Sequence, residues 1–467
     1  MTDTTRGRLA SQVRQVCRTQ VQDQGLPFAA ILAPSAVEYA IDQLGGPVRR
    51  CVLTPLRTFY AFLAQVLSAD PSCRQAVAAL LAWLVPQDAA LPSGEDGPYC
   101  KARQRLPKAL PQQVARQVGA QLHGRLGRGS LLGGRPIKVI DGTTVSMPDT
   151  PANQQAYPQA RTQKPGLGFP VMRLVAVFCL HCGALLEAAS GPYRGKQTGE
   201  TALLRTLLTS FIPGDVALAD RYYCSYWQIA LLQQRGVDSL FRMHQLRRVD
   251  FRKGRKLGPD DHGVIWTKPV QKPDWMDEAL YASLPAELEV REVRVRIQVP
   301  GFRVRVLVLA TTLLDPKRYP AAELARAFRA RWLAEVDLRS LKAALRMDVL
   351  RCKSPAMIHK ELWMHLLAYN LVRTTAAQAA QQARIEPQEV SFTATMQLLR
   401  SFAPILALLE PGRAQRMQEL LLKVLGRQVV GQRPNRYEPR ALKRRPKCQK
   451  FLQEPRDQAR KRLLRCT

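Results

Sequence analysis

The sequence predicts a mixed α/β fold, in which a sheet with antiparallel and parallel strands is flanked by helical regions at both ends. Three observations carry that expectation. Residues 1–130 alternate apolar helical patterns with Pro/Gly breaks and contain no convincing strand. From residue 133 short apolar runs alternate with amphipathic helical patterns after an antiparallel start, the rhythm of a mixed sheet. Beyond residue 312 the pattern returns to helix. The expected organisation is therefore 1–130 helical, 131–243 a first sheet-and-helix part, 244–311 a β-rich insertion, 312–375 a second core part, and 376–467 a helical region with a basic tail.

In order along the chain, PLRTFYAFLAQVLSAD (55–70) repeats apolar residues at three- and four-residue spacing, and PSGEDGPYC (92–100) is a loop. Arg49, Arg50, Arg57, Arg103 and Arg105 group in this helical part. Ile137, Val139 and Ile140 form a short strand that runs into Asp141, and a polar loop (148–168) comes next. FPVMRLVAVFCL (169–180) and GALLEAASG (183–191) read as a hairpin turning near Cys182-Gly183. Cys179 and Cys182 have the spacing of a zinc half-site, but no second pair lies nearby, so buried thiols in a turn are expected. GETALLRTLLTSF (199–211) is an amphipathic helix, and GDVALAD (214–220) is a buried strand ending on Asp220. SYWQIALLQQRG (225–236) is a helix, and VDSLFRM (237–243) is strand-like. The insertion ends in two alternating strands around Pro300-Gly301. Val293, Val295, Ile297 and Val299 oppose Arg294 and Arg296; Val304, Val306 and Val308 oppose Arg303 and Arg305. Such an Arg face suits either a phosphate backbone or plain solvent. Helices at 321–346, 355–373 and 391–426 complete the chain.

Charge narrows the partners. Seventy Lys and Arg stand against 37 Asp and Glu, a formal net charge of +33, which points to a polyanion, nucleic acid first and an anionic membrane surface second. The longest apolar stretch, AVAALLAWLV (76–85), is half the ~20 residues a spanning helix needs. The N-terminus has no signal-peptide core, and the ten cysteines are scattered, so a reducing cytoplasm is expected.

Two strands thus each deliver an Asp at their C-terminal end, where ligands gather. A third acid, Glu335, lies in FRARWLAEVDLRSLK (328–342) among basic residues. On a continuous helix Phe328, Arg331, Glu335, Arg339 and Lys342 share one face, within a span of about 80°. Trp332 and Leu338 would border the core, and Asp337, about 200° from Glu335, would face solvent. Glu335 could be only an (i, i+4) ion-pair partner of Arg331 and Arg339. Alternatively Asp141, Asp220 and Glu335 hold a pair of divalent cations, for which Mg²⁺ with hard oxygen ligands is the natural ion.

Phe328-x2-Arg331-x3-Glu335-x6-Lys342 resembles the Tyr-x2-Arg-x3-Glu-x6-Lys signature of the insertion-sequence-4 family of DDE transposases, with Phe in place of Tyr. IDGTTVSM and ALADRYY resemble the family's first and second Asp regions, and SPAMIHKELWMHLLAYNLVR (354–373) resembles the family's segment just C-terminal to the signature. The resemblance spans most of residues 50–375. It implies a ribonuclease-H-like catalytic core with a β-rich insertion, and Asp141, Asp220 and Glu335 as catalytic and metal-binding acids for two Mg²⁺, with Mn²⁺ a substitute. Arg331, Lys342, Arg339 and the Phe328 ring would contact DNA, and Trp266 or Trp275 would stack on a displaced base, core packing being the alternative. It further implies terminal inverted repeats and target DNA as substrates, a homodimer on DNA, and a nucleoid-associated bacterial enzyme with no membrane partner. The rival readings are a metal nuclease of the same fold that cuts without joining, and a non-catalytic DNA-binding relative.

Overall fold

In the computed structural model, residues 28, 31–45, 51–85, 89–296, 306–406, 408–431 and 453–465 are described. The chain divides into two compact units, Met1–Leu122 with Ser340–Met347 and His359–Val430, and His123–Arg339 with Asp348–Ile358 and Gly431–Thr467. Among the described residues no helix is long and apolar enough to cross a membrane.

The first unit is helical. Its helix Pro55–Leu67 starts on Thr54, whose hydroxyl accepts the Arg57 N–H at 3.2 Å, and carries Pro in its first turn, a position that needs no N–H. Ser72 caps Cys73–Leu84 in the same way. Phe59, Phe62 and Leu63 are buried. The grouped arginines that are described differ in their settings. Arg103 is only 8% exposed, lies over the rings of Phe62 and Tyr99, and donates to Gln65 Oε1 at 3.1 Å. Arg57 donates to the Val52 carbonyl, and Arg105 alone of the three is exposed. Burial of an arginine stem and face on aromatic rings offsets its cost. Arg49 and Arg50 lie outside the described residues. The long helix Pro355–Ala383 is not amphipathic; within this unit nearly all of its residues from 360 to 380 are buried. Two of its polar side chains bond backbone there: Lys360 donates to the Gln104 carbonyl at 2.9 Å and Asn370 to that of Ala115 at 3.0 Å.

The second unit is built on one nine-stranded sheet, in the order β3-β2-β1-β4-β5-β9-β8-β7-β6. β1 (Ile137–Ser146) pairs antiparallel with β2 (Val171–Cys179), and β2 antiparallel with β3 (Leu185–Pro192). β4 (Val216–Ala219) and β5 (Asp238–Arg242) run parallel to β1. The mixed α/β architecture matches the sequence expectation. So does the hairpin: Gly183 takes φ 70° at the turn, its N–H bonds the Cys179 carbonyl at 2.9 Å, and both cysteines are fully buried. Positive φ suits glycine there. The segment expected as a loop holds one short helix, Pro151–Ala156, capped by Thr150 and tied by Asn153 Nδ2 to the Cys352 carbonyl at 3.2 Å.

All four residues of β4 are buried, the continuous apolar run of a strand covered on both faces. One face carries Ile140, Ala219 and Phe241 against α1 (Glu200–Leu207) and α2 (Tyr226–Gln233), through Leu203, Leu204, Leu207 and Ile229.

The β-rich segment extends the same sheet. β6 (Arg255–Gly258), β7 (Asp261–Thr267), β8 (Glu287–Arg296) and β9 (Val306–Thr311) are antiparallel, and β9 joins β5. The expected pairing of valine faces is not what forms. β8 and β9 align Val293 with Leu309 and Val295 with Leu307, so Leu307 and Leu309 are buried while Val306 is 50% exposed opposite Arg296. Shifting a strand's phase by one residue exchanges its faces, and the leucines, with more apolar surface to bury, take the inner one. The Pro300-Gly301 turn, Ile297, Val299, Arg303, Val304 and Arg305 lie outside the described residues. Arg291, wholly buried in β8, makes a two-pronged pair with Asp261, Nε to Oδ1 at 2.8 Å and Nη2 to Oδ2 at 2.6 Å, and also donates to the carbonyls of Leu313 and Tyr319. Donor contacts from every nitrogen of the fork make a buried guanidinium tolerable.

Candidate active site

β1 does not end at the first acid as expected: Asp141 lies inside the strand, which runs on to Ser146, whereas Asp220 follows the end of β4. Ile140 pairs with Ala219, and Ala219 with Phe241, so the next residues, Asp141, Asp220 and Arg242, stand side by side on neighbouring strands ~4.8 Å apart. In backbone register the three residues thus follow one another in a row across the sheet. Asp220 ends β4 and caps the next turn, its Oδ1 accepting the Arg221 N–H at 2.6 Å. Asp141 Oδ1 accepts the Gly142 N–H at 2.9 Å.

The third acid reaches Asp141 through an arginine. The helix expected over 321–346 is broken at Arg331 into α3 (Ala321–Ala330) and α4 (Trp332–Arg339), and ends in a π-helical turn, Ser340–Ala344. Across the break Arg331 Nη2 holds Glu335 Oε1 at 2.5 Å, while Nη1 stands 3.8 Å from Asp141 Oδ2. The (i, i+4) ion pair is therefore real, and the same guanidinium bridges Glu335 to the β1 acid.

The helix faces lie opposite to the expectation. Glu335 shares the open side of α4 with Trp332, which is 49% exposed, and with Arg339, whose guanidinium lies 5.8 Å from the Trp332 ring. The buried side carries Ala334, Leu338 and Asp337, the last only 1% exposed. Periodicity separates Glu335 from Asp337 correctly, but which side meets the core depends on the break at Arg331. Phe328 belongs to the buried side of α3 with Leu324 and Ala327 and is 7% exposed; its ring packs, and its place is not a DNA-facing surface. Lys342 lies half-buried in the π turn, in the helical unit.

A fourth carboxylate, not singled out by the sequence reading, meets this group. Glu200 begins α1, and its carboxylate lies against Gly142: a Cβ at Gly142 would stand 2.5 Å from the Glu200 carboxyl carbon and 2.8 Å from each oxygen. The Tyr223 hydroxyl donates to Glu200 Oε2 at 3.1 Å. An acid in the first turn of a helix reads from sequence as a dipole partner; the signal that it does more is the glycine after Asp141, visible only once the two segments meet.

Electrostatics reflect this crowding. Burial pushes the Asp141 carboxyl up to about 6, the Arg331 guanidinium and the Gly142 N–H pull it back, and the negative charges of Glu335 and Glu200 add to the rise. The Tyr223 hydroxyl is held well above its ordinary value by burial and by the charges of Glu200 and Asp141. Among the described residues no three His, Cys, Asp or Glu side chains already converge as a metal site; at Asp141 and Glu335 the place between the carboxylates is filled by Arg331. A hard, all-oxygen donor set whose members need a cation between them fits a divalent ion.

The tryptophans are placed as packing residues. Trp266 is 2% exposed, its Nε1 donates to Glu292 Oε1 at 3.0 Å, and the Arg247 guanidinium covers its ring at 3.6 Å. Glu292 also bonds His262 Nε2 at 3.0 Å. Trp266 therefore offers no open face to a base, because its indole N–H needed a buried partner. Trp275 is half-buried with the Arg205 guanidinium over it at 3.9 Å.

The chain is similar to the transposase InsG for insertion sequence element IS4 of Escherichia coli K12, 28% identical over 74% of this chain and 76% of that protein. It is also similar to the putative transposase InsZ of Escherichia coli K12, 32% identical over 29% of this chain and 45% of that one. Among solved structures, a piggyBac transposase synaptic complex with hairpin DNA aligns over 87% of this chain and 85% of that one, at 10% identity and a TM-score of 0.39. The transposase DDE domain family matches residues 132–371, just over half of the chain and the whole of the sheet that carries the acids, and the protein is therefore a member of the DDE transposase family.

Proposed function

We propose that the protein excises and reinserts its own insertion sequence, with Asp141, Asp220 and Glu335 as the acids that hold its divalent ions. Enzymes of this family cleave DNA and transfer the cut strand, and generally use divalent metal ions. The observation that supports the assignment is Arg331 joining Asp141 to Glu335, with Asp141 and Asp220 following paired residues of the neighbouring parallel strands β1 and β4. The strand order β3-β2-β1-β4-β5, antiparallel then parallel, supports the ribonuclease-H-like core that the sequence resemblance implies, with β6–β9 as its insertion.

Two Mg²⁺ ions, or Mn²⁺ in their place, would supply Lewis acidity to the attacking water or 3′-hydroxyl and to the leaving oxygen. The chain's own residues do the rest. Arg331 neutralises Asp141 and Glu335 in the resting enzyme, and its forked donors suit a phosphate once those acids have another cation. Tyr223 and the α1 N-terminus fix Glu200 beside Asp141. Burial leaves Asp141 able to hold a proton near pH 6 when no cation is present. Arg339 and Lys342 are the further phosphate contacts of this reading. The substrates are the element's terminal inverted repeats, recognised by residues 1–130, and a target duplex, with two protomers pairing the two ends on the bacterial nucleoid.

The test is a joining reaction with purified protein, a pre-cut element end and a target plasmid, in Mg²⁺ and in EDTA. Joined products that require Mg²⁺ and vanish with Asp220→Asn support the reading. Cutting without joining would favour the nuclease alternative, and end binding with neither cutting nor joining the non-catalytic one.

A further inference from the structure

Beside the acids lies a groove of about 280 Å³ lined by Arg221, Arg242, His244, Arg247 and Arg294 over an apolar floor that includes Leu307. No acidic side chain lines it. Arg247 is spread over Trp266, and Arg294 is paired with Asp260 at 2.8 Å. Among the described residues neither Arg221 nor Arg242 is paired with a carboxylate. Arg221 is exposed and immediately follows Asp220. Arg242 continues the row of Asp141 and Asp220 onto the next strand. A narrow trough that holds two arginines without a carboxylate partner, one of them directly after Asp220, suits a phosphodiester chain passing through.

We propose that this groove carries the backbone of the DNA strand being cut, on one side of the scissile phosphate, with Arg221 and Arg242 as the two contacts nearest the cut. The inference rests on the transposase reading and adds the path of the strand: from the acids into the groove beside the end of β5 and the start of β9. Arg242 and Arg221 meet the phosphates next to the cut, and Arg294, beyond β9, meets a more distant one. Guanidinium is the group suited to this place because its planar fork can hold a phosphate with two parallel bonds.

The experiment measures binding of the full-length protein to a duplex of the element's end with its flanking donor DNA, in EDTA so that nothing is cut, over a series of salt concentrations. Each phosphate contact contributes about 0.9 to the slope of log affinity against log salt. The double variant Arg221→Gln/Arg242→Gln is expected to make the slope shallower by about 1.8, and Arg221→Lys/Arg242→Lys to restore it. Methylphosphonate, which removes the charge of a chosen phosphate, is placed next to the cut on either side in turn. On one side it is expected to weaken wild type and leave the glutamine variant unmoved, since a contact already lost cannot be lost again. Exposed control variants Arg413→Gln and Arg416→Gln set the effect of charge alone. A glutamine variant with the wild-type slope, or one weakened by methylphosphonate on both sides as much as wild type is, would overturn the proposal. So would binding of the same strength and slope to inorganic polyphosphate, which would mark a general anion trough. If wild type binds no end DNA at all, it is the transposase reading that fails.

Discussion

Replacing Asp141 by Asn is expected to make the metal-free protein more stable while abolishing its chemistry. Burial, together with Glu335 and Glu200, raises the Asp141 carboxyl from 3.8 to about 6. A rise of roughly two units corresponds to about 3 kcal/mol between the charged and neutral forms. The folded chain holds this proton more tightly than the unfolded one. The group's favourable contribution is therefore complete below about pH 4 and lost as pH climbs through 6, leaving an ionised carboxylate that weakens the fold at pH 7.5. Asparagine stands in for the protonated form at every pH. Urea unfolding in EDTA should show Asp141→Asn more stable than wild type by up to about 3 kcal/mol at pH 7.5, with the difference gone by pH 4. Added Mg²⁺ should raise the wild-type midpoint and leave the variant's unchanged. A variant less stable than wild type at pH 7.5 would refute the claim that this acid is held at a cost.

Three other substitutions probe the surroundings. Gly142→Ala puts a methyl group 2.5 Å from the Glu200 carboxyl carbon; displacement of that carboxylate by about 1 Å should slow excision by roughly 100-fold, with a small change in melting temperature, and Glu200→Ala in the same chain should relieve the clash without restoring the rate. Arg291→Met leaves Asp261 buried without its partner; chemical denaturation should show a loss of about 3–5 kcal/mol, with end-DNA affinity per folded molecule unchanged. Trp266→Phe removes the indole donor to Glu292 and should cost about 1–3 kcal/mol, whereas a base-stacking role predicts weaker end binding at unchanged stability.

Much of the fold is legible because its signals are local. The continuous apolar run of β4, the acid that follows it and the turn glycine at 183 can each be read within a few residues, whereas β1 runs on past Asp141 to Ser146. What is not legible depends on tertiary partners. Periodicity sets Glu335 opposite Asp337, but only the break at Arg331 and the packing of α4 decide that the Asp337 side is buried. The alternation of β9 fits either phase, and the pairing of Leu307 and Leu309 with the valines of β8 selects one. Arg103 reads as a surface cation until Phe62, Tyr99 and Gln65 surround it. Glu200 is 59 residues from Asp141 in the chain, and its approach is recorded in the sequence only by the absence of a side chain at 142.

The central claim is that Glu335 acts with Asp141 and Asp220 on DNA rather than serving as an ion-pair partner of Arg331. Its most direct test is excision from a supercoiled plasmid bearing the element's own ends, comparing wild type with Glu335→Gln in Mg²⁺ and in EDTA. Wild type should release the element only with metal, and Glu335→Gln should bind the ends with wild-type affinity and release nothing. Release by Glu335→Gln at the wild-type rate would reduce Glu335 to a helix ion pair and contradict the account.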